Sequence, residues 1–259
     1  MGLSEKVGDV LGARIEARLE EDVRKLTLPQ HVAFIMDGNR RFAWSKAMNT
    51  QTGHRKGKQV LKNVMDWVLE LGIEYMTVYA LSTENLSSRT KKELKGLYDL
   101  YVEGLNEIAE DSKIHENGVK VQIIGHRELL PKRVIDAIEN AEKGTEDYSD
   151  FTFTVCLAYG GREEIVRAIR QLAKDHADGS LALEDIDETA VSKRLWTSHM
   201  PDPDLVIRTS GEERISNFLL WQSAYSELYF SDVFWPSFSR RDFLKAVNDY
   251  QLRRRRFGE

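Results

Sequence analysis

Residues 31–41 are His31-Val-Ala-Phe-Ile-Met-Asp37-Gly38-Asn39-Arg40-Arg41. The mostly apolar residues 31–36 predict a buried strand, which ends abruptly in a carboxylate, a glycine, an amide and two guanidinium groups. Ligands of open α/β sheets bind where strands end. A carboxylate beside two arginines suits a magnesium ion that itself holds a phosphorylated substrate. The same residues also fit an ordinary turn between a strand and a helix, with a solvated arginine pair.

Along the rest of the chain, runs typical of strands alternate with runs typical of helices. The further strands are predicted at 75–81, 119–124, 151–158, 205–207 and 228–230. The helices between and around them are predicted at 54–71, 91–115, from 131, from 160, at 189–196 and from 239. This alternation predicts an α/β fold with a central, mostly parallel sheet of about six strands, flanked by helices.

The N-terminal segment has apolar residues at helical spacing between Leu3 and Leu26. It predicts an amphipathic helix that could dock on the domain, on a protein partner or on a membrane. No internal repeat or long linker is visible. The predicted organisation is therefore a helix and lead-in at 1–30, followed by a single catalytic domain at 31–259.

The composition excludes several classes of protein. A net charge of −5 and a pI near 5.8 argue against a nucleic-acid partner held by phosphate contacts. The single cysteine, Cys156, allows no disulfide within one chain and fits a reducing compartment. Charged residues among the first ten exclude the apolar core of a signal peptide, and no run of about 18 apolar residues predicts a membrane span. We expect a cytoplasmic location, with peripheral contact to a membrane surface left open.

A second arginine cluster follows a short apolar run at 205–207. Two guanidinium groups and a hydroxyl there, on Arg208, Arg214 and Ser216, can hold a diphosphate through bidentate and single hydrogen bonds. The alternative pairs the two arginines with Glu212 and Glu213 as surface salt bridges. Since neither glycine-rich nucleotide motif is present, a phosphate would be held here by side chains and a metal.

The predicted helix at 91–115 carries an apolar and aromatic stripe. Its members are Leu94, Leu97, Tyr98, Tyr101, Leu105 and Ile108. Most of this stripe is expected to pack in the core. Part of it could also line a hydrophobic tunnel between two helices and the sheet, beside the phosphate site. Charged groups next to an apolar channel suit a substrate that is half diphosphate and half hydrocarbon.

Several motifs, in order along the chain, resemble those of the cis-prenyltransferases, whose best-known members are the undecaprenyl diphosphate synthases. Besides residues 31–41, they are Gly53-His54, Tyr79-Ala-Leu-Ser-Thr-Glu-Asn85, Ala158-Tyr-Gly-Gly-Arg162, residues 204–218, Glu227-Leu-Tyr-Phe and Arg256-Phe-Gly258. The resemblance implies a homodimer that condenses isopentenyl diphosphate with an allylic diphosphate in a Mg²⁺-dependent reaction and forms a new cis double bond. A polyprenyl product of this kind is expected to partition into membranes.

The resemblance also implies roles for individual residues. Asp37 would bind Mg²⁺ and help the allylic diphosphate depart, with Glu227 as the second metal ligand. The allylic substrate would be bound by Gly38, Asn39, Arg40, Arg41, Phe42, His54 and Arg89. The diphosphate of isopentenyl diphosphate would be bound by Arg208, Arg214 and Ser216, with Arg41 shared between the two sites. Arg256 and Gly258 would reach the neighbouring subunit's site, and Ser82, Asn85 or a diphosphate oxygen would help remove the proton.

The chain departs from the common family pattern mainly around the allylic substrate. Thr50 stands where many relatives have an arginine, and Leu86-Ser-Ser-Arg89 lacks the usual aromatic and places its arginine one position late. The aromatic after the Asp-Gly-Asn motif is Phe42 instead of the common tryptophan, and Glu213 replaces a histidine that is frequent in bacterial enzymes. We therefore hypothesise an altered preference for the allylic substrate without loss of the chemistry. No large insertion lengthens the helix at 91–115, which favours products of short to medium length.

Two other functions are compatible with the same motifs. The chain could be a non-catalytic subunit of a heteromeric cis-prenyltransferase, although such partners usually lose the Asp-Gly-Asn-x-Arg cluster that is present here. It could also transfer a prenyl group to a non-standard acceptor such as an alcohol. The second arginine cluster favours an acceptor that carries a diphosphate.

Overall fold

The structure, a computed structural model, describes residues 3–254, with side chains for residues 12 and 14–253. Its strands are β1 (His31–Ile35), β2 (Tyr75–Ser82), β3 (Val119–Ile124), β4 (Phe151–Tyr159), β5 (Leu205–Thr209) and β6 (Glu227–Ser231). Its helices are α1 (Leu3–Arg24), α2 (Asn39–Ser45), α3 (Thr50–Leu71), α4 (Thr83–Ser88), α5 (Lys91–Glu110), α6 (Ser112–Glu116), α7 (Lys132–Gly144), α8 (Gly161–Ala177), α9 (Glu188–Ser192) and α10 (Arg240–Arg254).

The six strands form one parallel sheet in the order β3-β4-β2-β1-β5-β6. From β1 the chain builds the sheet outward on one side through β2, and on the other side through β5 and β6. The order therefore reverses at β1 and β5, whose carboxyl ends lie side by side, with Ile35 paired to Arg208. Such a reversal opens a crevice at the carboxyl edge of a sheet. The predicted α/β fold with a six-stranded parallel sheet is confirmed.

The sheet is buried on both faces. Along β1, Val32 and Phe34 enter the larger core cluster, to which α3, α5, α7 and α10 contribute. The intervening Ala33 and Ile35 enter a smaller cluster on the opposite face. This is why β1 is almost continuously apolar, as is typical of central parallel strands.

Helices α3 and α5 stand side by side over the larger core. Their starts are specified locally: Asn49 accepts a hydrogen bond from the Thr52 amide, and Thr90 forms a capping box with Glu93. The predicted helix at 91–115 is divided in the structure. Asp111 adopts an extended conformation (φ −76°, ψ 116°) and its side chain accepts a hydrogen bond from the amide of Lys113, which starts α6. An aspartate that can cap a new helix ends the old one.

Helix α1 packs with its C-terminal part on α10. The side-chain amide of Gln251 donates to the carbonyl of Val23 at 2.9 Å, and Arg240 pairs with Glu20 at 3.0 Å. The sequence left open whether this helix docks on the domain, on a protein partner or on a membrane. Its C-terminal part docks on the domain.

None of the helices within residues 3–254 combines the length and the apolar character needed to cross a bilayer.

Candidate active site

Asp37 and Arg208 meet at the carboxyl ends of β1 and β5. Nη2 of Arg208 donates to Oδ2 of Asp37 at 2.8 Å, and the amide of Gly38 donates to Oδ1 at 2.6 Å. Burial alone would raise the pKa of Asp37, but the hydrogen bonds from Arg208 and Gly38 outweigh it and hold the pKa below its usual value. The carboxylate is therefore ionised at neutral pH, and a third of it remains exposed.

Gly38 allows the chain to turn from β1 directly into α2. Its φ is +99°, in the region that L side chains rarely adopt. A Cβ at this position would also lie 2.9 Å from both Cδ1 of Phe234 and Cβ of Ser210. The turn brings Asn39, Arg40 and Arg41 into the first turn of α2, beside Asp37.

Arg41 connects the first arginine cluster to the second. Its guanidinium lies 3.4 Å from Asp37, donates to Glu212 at 3.0 Å, and donates to the hydroxyl of Ser210. The other oxygen of Glu212 accepts from Arg214 at 2.5 Å. The guanidinium groups of Arg41 and Arg214 are thus held on either side of one carboxylate.

The loop after β5 is held by Arg208 itself. Nη1 of Arg208 donates to the hydroxyl of Ser216 at 2.7 Å and to the carbonyl of Arg214. The surface-salt-bridge alternative for this cluster therefore holds for Arg214 and Glu212 only. Arg208 is buried and pairs with Asp37 instead of a neighbouring glutamate.

His54, Arg89 and Asn39 line both a polar pocket beside Asp37 and the apolar cavity next to it. Burial lowers the pKa of His54 to about 4, and the nearby charges of Arg89 and Arg40 act in the same direction, so its ring is neutral at pH 7. Arg89 donates from Nε to the side chain of Asn85 at 3.3 Å. Among residues 3–254, Nη1 of Arg89 and Oδ1 of Asn39 are buried with no hydrogen-bond partner. The orphaned Nη1 of Arg89 is a donor that an anionic ligand could use.

The polar pocket opens into an apolar cavity between α3, α5 and the sheet. The pocket has a volume of about 530 Å³ and the cavity about 170 Å³, and the two share six lining residues: Met36, Asn39, His54, Tyr79, Ala80 and Arg89. The predicted hydrophobic tunnel is confirmed. Its wall from α5 includes four residues of the predicted stripe, namely Leu97, Tyr101, Leu105 and Ile108. Leu94 and Tyr98, from the same stripe, line a separate surface pocket.

Most of the predicted site residues line this one pocket. They are Asp37, Gly38, Asn39, Arg40, Arg41, His54, Ser82, Asn85, Arg89, Arg208, Arg214 and Ser216. Ser82 caps α4 by accepting from the amide of Asn85 at 3.1 Å. Arg89 follows this short helix directly. It reaches the pocket even though it stands one position later than the usual arginine of the family.

Two predicted residues lie elsewhere. Phe42 is on the buried side of α2 and does not line the pocket. The exposed Trp44 does line it, and its ring centre lies 5.7 Å from the guanidinium of Arg40. Glu227 begins β6, next to Leu205 and at the opposite edge of the sheet from Asp37, and pairs with Arg253 at 3.2 Å. Within one chain Glu227 and Asp37 do not face the same metal. Arg256 and Gly258 lie outside the described residues.

Two contacts were missed from the sequence. Glu212 was considered only as a surface partner of the arginines, whereas it bridges Arg41 and Arg214 across the pocket. Glu93, which caps α5, lies 3.5 Å from Arg40. The capping-box spacing from Thr90 to Glu93 was a signal for the helix start, but no local pattern indicates the ion pair to Arg40.

Comparison with known proteins agrees with this geometry. The model of a family described as putative undecaprenyl diphosphate synthase matches residues 35–258. A protein of Methanopyrus kandleri named tritrans,polycis-undecaprenyl-diphosphate synthase (geranylgeranyl-diphosphate specific) is 51% identical over 94% of this chain and 89% of its own length. A protein of Thermoplasma volcanium with the same name is 45% identical over the full length of both chains.

Solved structures show the same fold. Lavandulyl diphosphate synthase from Lavandula x intermedia, in complex with dimethylallyl diphosphate, superposes with a TM-score of 0.83 at 36% identity and covers 86% of this chain and 95% of its own. A probable undecaprenyl diphosphate synthase from Campylobacter jejuni gives 0.73 at 29% identity, covering 90% and 100%. The chain belongs to the undecaprenyl diphosphate synthase family, the cis-prenyltransferases.

Proposed function

We propose that this prenyltransferase extends geranylgeranyl diphosphate with isopentenyl diphosphate to a polyprenyl product of medium length, in the range of undecaprenyl diphosphate. The observation that carries the proposal is the continuity of a cationic pocket, lined by both arginine clusters, with an apolar cavity. The choice of geranylgeranyl diphosphate is supported by relatives with that specificity in their names, at 44–51% identity. It also agrees with the sequence departures around the allylic site, at Thr50 and at 86–89.

The allylic diphosphate would lie against α2, with its hydrocarbon in the cavity. Arg40, Arg41 and the backbone amide of Asn39 at the start of α2 would bind the diphosphate, and neutral His54 would contribute a hydrogen bond without a charge. Negative charge develops on this group as the allylic C–O bond breaks. Fixed cations that already face the group stabilise that charge without reorganisation.

The second diphosphate would be bound by Arg208, Arg214 and Ser216 on the loop after β5. Because Arg208 also pairs with Asp37, the two diphosphates would lie side by side, with the olefin of isopentenyl diphosphate directed at the allylic carbon. Ser82 and Asn85 lie in the same pocket, where the proton must leave. An asparagine is not a base, so Asn85 can only orient the acceptor of that proton.

The residues present fit a bound magnesium ion. Mg²⁺ is typically held by one or two carboxylates together with substrate phosphates and water. Asp37 provides an ionised, partly exposed carboxylate in the pocket, and residues 3–254 contain no cluster of three acidic or histidine side chains that would bind a metal without substrate. Bound there, the ion would neutralise charge on the departing diphosphate.

We infer that the enzyme is a homodimer in which the C-terminal tail completes the neighbouring site. The tail follows α10, whose Arg253 pairs with Glu227 at the sheet edge opposite Asp37. Among the described residues, the end of α10 and Glu227 therefore lie at the sheet edge opposite the pocket of their own chain. Mixing Asp37→Asn and Arg256→Ala variants tests this, because a mixed dimer would contain one complete site. We expect activity above the sum of the two variants; activity at that sum would contradict a shared site.

Incubation of the purified chain with labelled isopentenyl diphosphate and each of geranyl, farnesyl and geranylgeranyl diphosphate tests the main proposal. We expect Mg²⁺-dependent turnover with the highest kcat/KM for geranylgeranyl diphosphate. A farnesyl preference with normal efficiency would refute the substrate assignment. No product from the chain alone would favour a non-catalytic subunit, and a product that lacks the second diphosphate would favour an alcohol acceptor. Location in the cytoplasm, with release of the product to a membrane, remains part of the proposal.

A further inference from the structure

Asn217 follows β5 and contacts the segments that follow β2 and β4. Both polar atoms of its side-chain amide form hydrogen bonds. Nδ2 donates to Glu84 at 2.9 Å and to Glu163 at 3.1 Å. Oδ1 accepts from the amide of Arg162 at 2.9 Å, and the backbone carbonyl accepts from the amide of Gly161 at 2.7 Å. Both side-chain protons and both oxygens are therefore engaged.

These contacts join three elements that are distant in sequence. Glu84 belongs to α4, directly after β2, while residues 161–163 form the first turn of α8, directly after β4. Asn217 lies in the loop that follows β5. Thr83 adds a bond across the first two elements by donating to Glu163 at 3.0 Å. Asn217 thus anchors the loop after β5 to the ends of both β2 and β4.

The anchor adjoins Ser216, the hydroxyl that accepts from Arg208 at 2.7 Å. Ser216 and Asn217 have φ values of +48° and +64°, so two successive non-glycine residues are left-handed. Such a conformation costs about 1 kcal/mol or more per residue and persists only where surrounding contacts hold it. Asparagine is one of the few residues that adopts it readily. Beyond it, buried Phe218 stacks on Tyr79 with ring centres 4.7 Å apart.

We propose that Asn217 is a positioning residue for isopentenyl diphosphate: by clamping the left-handed turn to α4 and α8, it holds Ser216 and Arg214 where the second diphosphate binds. The inference rests on the proposed function, since it takes that diphosphate as the ligand of Arg208, Arg214 and Ser216. Without the clamp the turn relaxes, and Ser216 leaves Arg208. The allylic site is less affected, because Arg40, Arg41 and His54 lie on α2 and α3, although Arg41 also contacts Glu212 in this loop.

The test uses two substitutions that both tolerate a left-handed backbone. Asn217→Gly removes all side-chain contacts but keeps the turn accessible. Asn217→Asp keeps the size but loses both N–H donors and directs a carboxylate at Glu84 and Glu163. The matched control is Asn117→Ala, since Asn117 is exposed at the end of α6 and donates only to the carbonyl of Lys113.

We expect the KM for isopentenyl diphosphate to rise about tenfold in Asn217→Gly, the effect of losing one or two hydrogen bonds to charged groups, and further in Asn217→Asp. The KM for the allylic substrate should stay within about twofold in both, and the control should match the unsubstituted enzyme. Calorimetric titration with isopentenyl diphosphate alone should show the same weakening in any variant too slow to assay.

Two results would overturn the inference. One is an unchanged KM for isopentenyl diphosphate in both variants; the other is a fall in melting temperature and kcat with both KM values unchanged, the sign of a purely structural residue. Failure of the proposed function looks different, because the unsubstituted chain would then not consume isopentenyl diphosphate.

Discussion

Arg208 donates from Nη2 to Oδ2 of Asp37 at 2.8 Å and so joins two residues that are 171 positions apart in the sequence. One lies in the fifth strand of the chain and the other just beyond the first, yet the order of the sheet makes those strands neighbours. The pair connects the two cationic clusters, and it ties the charge of Asp37 to that of a buried guanidinium.

Replacement of Asp37 should therefore be made with asparagine. Asp37→Ala would leave the buried Arg208 charge without its partner, which destabilises the fold as well as the chemistry. Asp37→Asn keeps an oxygen that can accept from Arg208. We expect turnover to fall by about 10²–10³-fold or more, the range for loss of a key electrostatic contact. The melting temperature should fall less than in Asp37→Ala, because one oxygen still accepts from Arg208. Steady-state kinetics and thermal unfolding check this; a normal rate would remove Asp37 from the mechanism.

Gly38 is required by its backbone conformation and by its surroundings. We expect Gly38→Ala to abolish activity and to reduce stability by more than about 1 kcal/mol, because the left-handed φ and contacts at 2.9 Å add together. Gly72→Ala is the matched control. Gly72 also has a positive φ, +79°, but a Cβ there would have no neighbour within 4 Å among the described residues. The Gly72→Ala variant should lose about 1 kcal/mol of its free energy of unfolding and keep full activity. Equal losses in the two variants would mean that only the backbone conformation matters.

Gly57 lets α3 approach the side chain of Asn39. A Cβ on Gly57 would lie 2.2 Å from Oδ1 of Asn39 and 3.0 Å from Cδ1 of Trp235. The indole Nε1 of Trp235 also donates a hydrogen bond to the carbonyl of Gly57. Gly57→Ala should displace Asn39 and raise the KM for the allylic diphosphate by about tenfold, at a cost of about 1–3 kcal/mol in stability. The KM for isopentenyl diphosphate should change little.

The control for Gly57 lies in the facing helix. A Cβ on Gly96 in α5 would be 3.9 Å from the nearest atom. Gly96→Ala should therefore stabilise the protein by about 0.5–1 kcal/mol through helix propensity, with both KM values unchanged. An allylic KM that is equally raised in both variants would show that the effect does not pass through Asn39.

The sequence predicted the strands and the polar ends that follow them because both signals are local. The apolar run at 32–36 and the charged residues after it are contiguous, and the structure begins α2 directly beyond them. The short helices α2 and α4 and the break at Asp111 were not predicted. Helices of a few residues have no period to detect, and a single capping side chain decides the break.

The sheet edge at which Glu227 lies is indicated by its place in the sequence relative to its strand. Asp37 follows an apolar run, whereas Glu227 precedes one. In parallel strands the two positions lie at opposite edges of the sheet, as the pairing of Glu227 with Leu205 shows. No local sequence pattern indicates the longer-range contacts, because they depend on which strand ends become neighbours in the sheet. These contacts are Arg41 with Glu212, and Asn217 with Glu84 and Glu163.

His31 makes stability depend on pH. Its ring is fully buried, Nδ1 lies 2.8 Å from the carbonyl of Pro201, and Nε2 lies 2.8 Å from the hydroxyl of Thr77. The neutral ring satisfies both contacts, with Nδ1–H donating to the carbonyl and Nε2 accepting from the hydroxyl. Burial lowers the pKa of His31 to about 4, partly opposed by the hydrogen bond to Pro201 and by the charge of Asp204.

The unfolded chain takes up this proton near pH 6.5 and the folded chain only near pH 4. Between those values the unfolded state binds more protons, so stability falls as the pH falls. We expect the contribution of His31 to be complete above pH 6.5 and to decrease by up to about 3 kcal/mol at pH 4. Urea unfolding at pH 7 and pH 4.5 measures the difference. His31→Gln should be less stable at pH 7 but should lose less on acidification, whereas an equal loss in both proteins would assign the pH dependence to other groups.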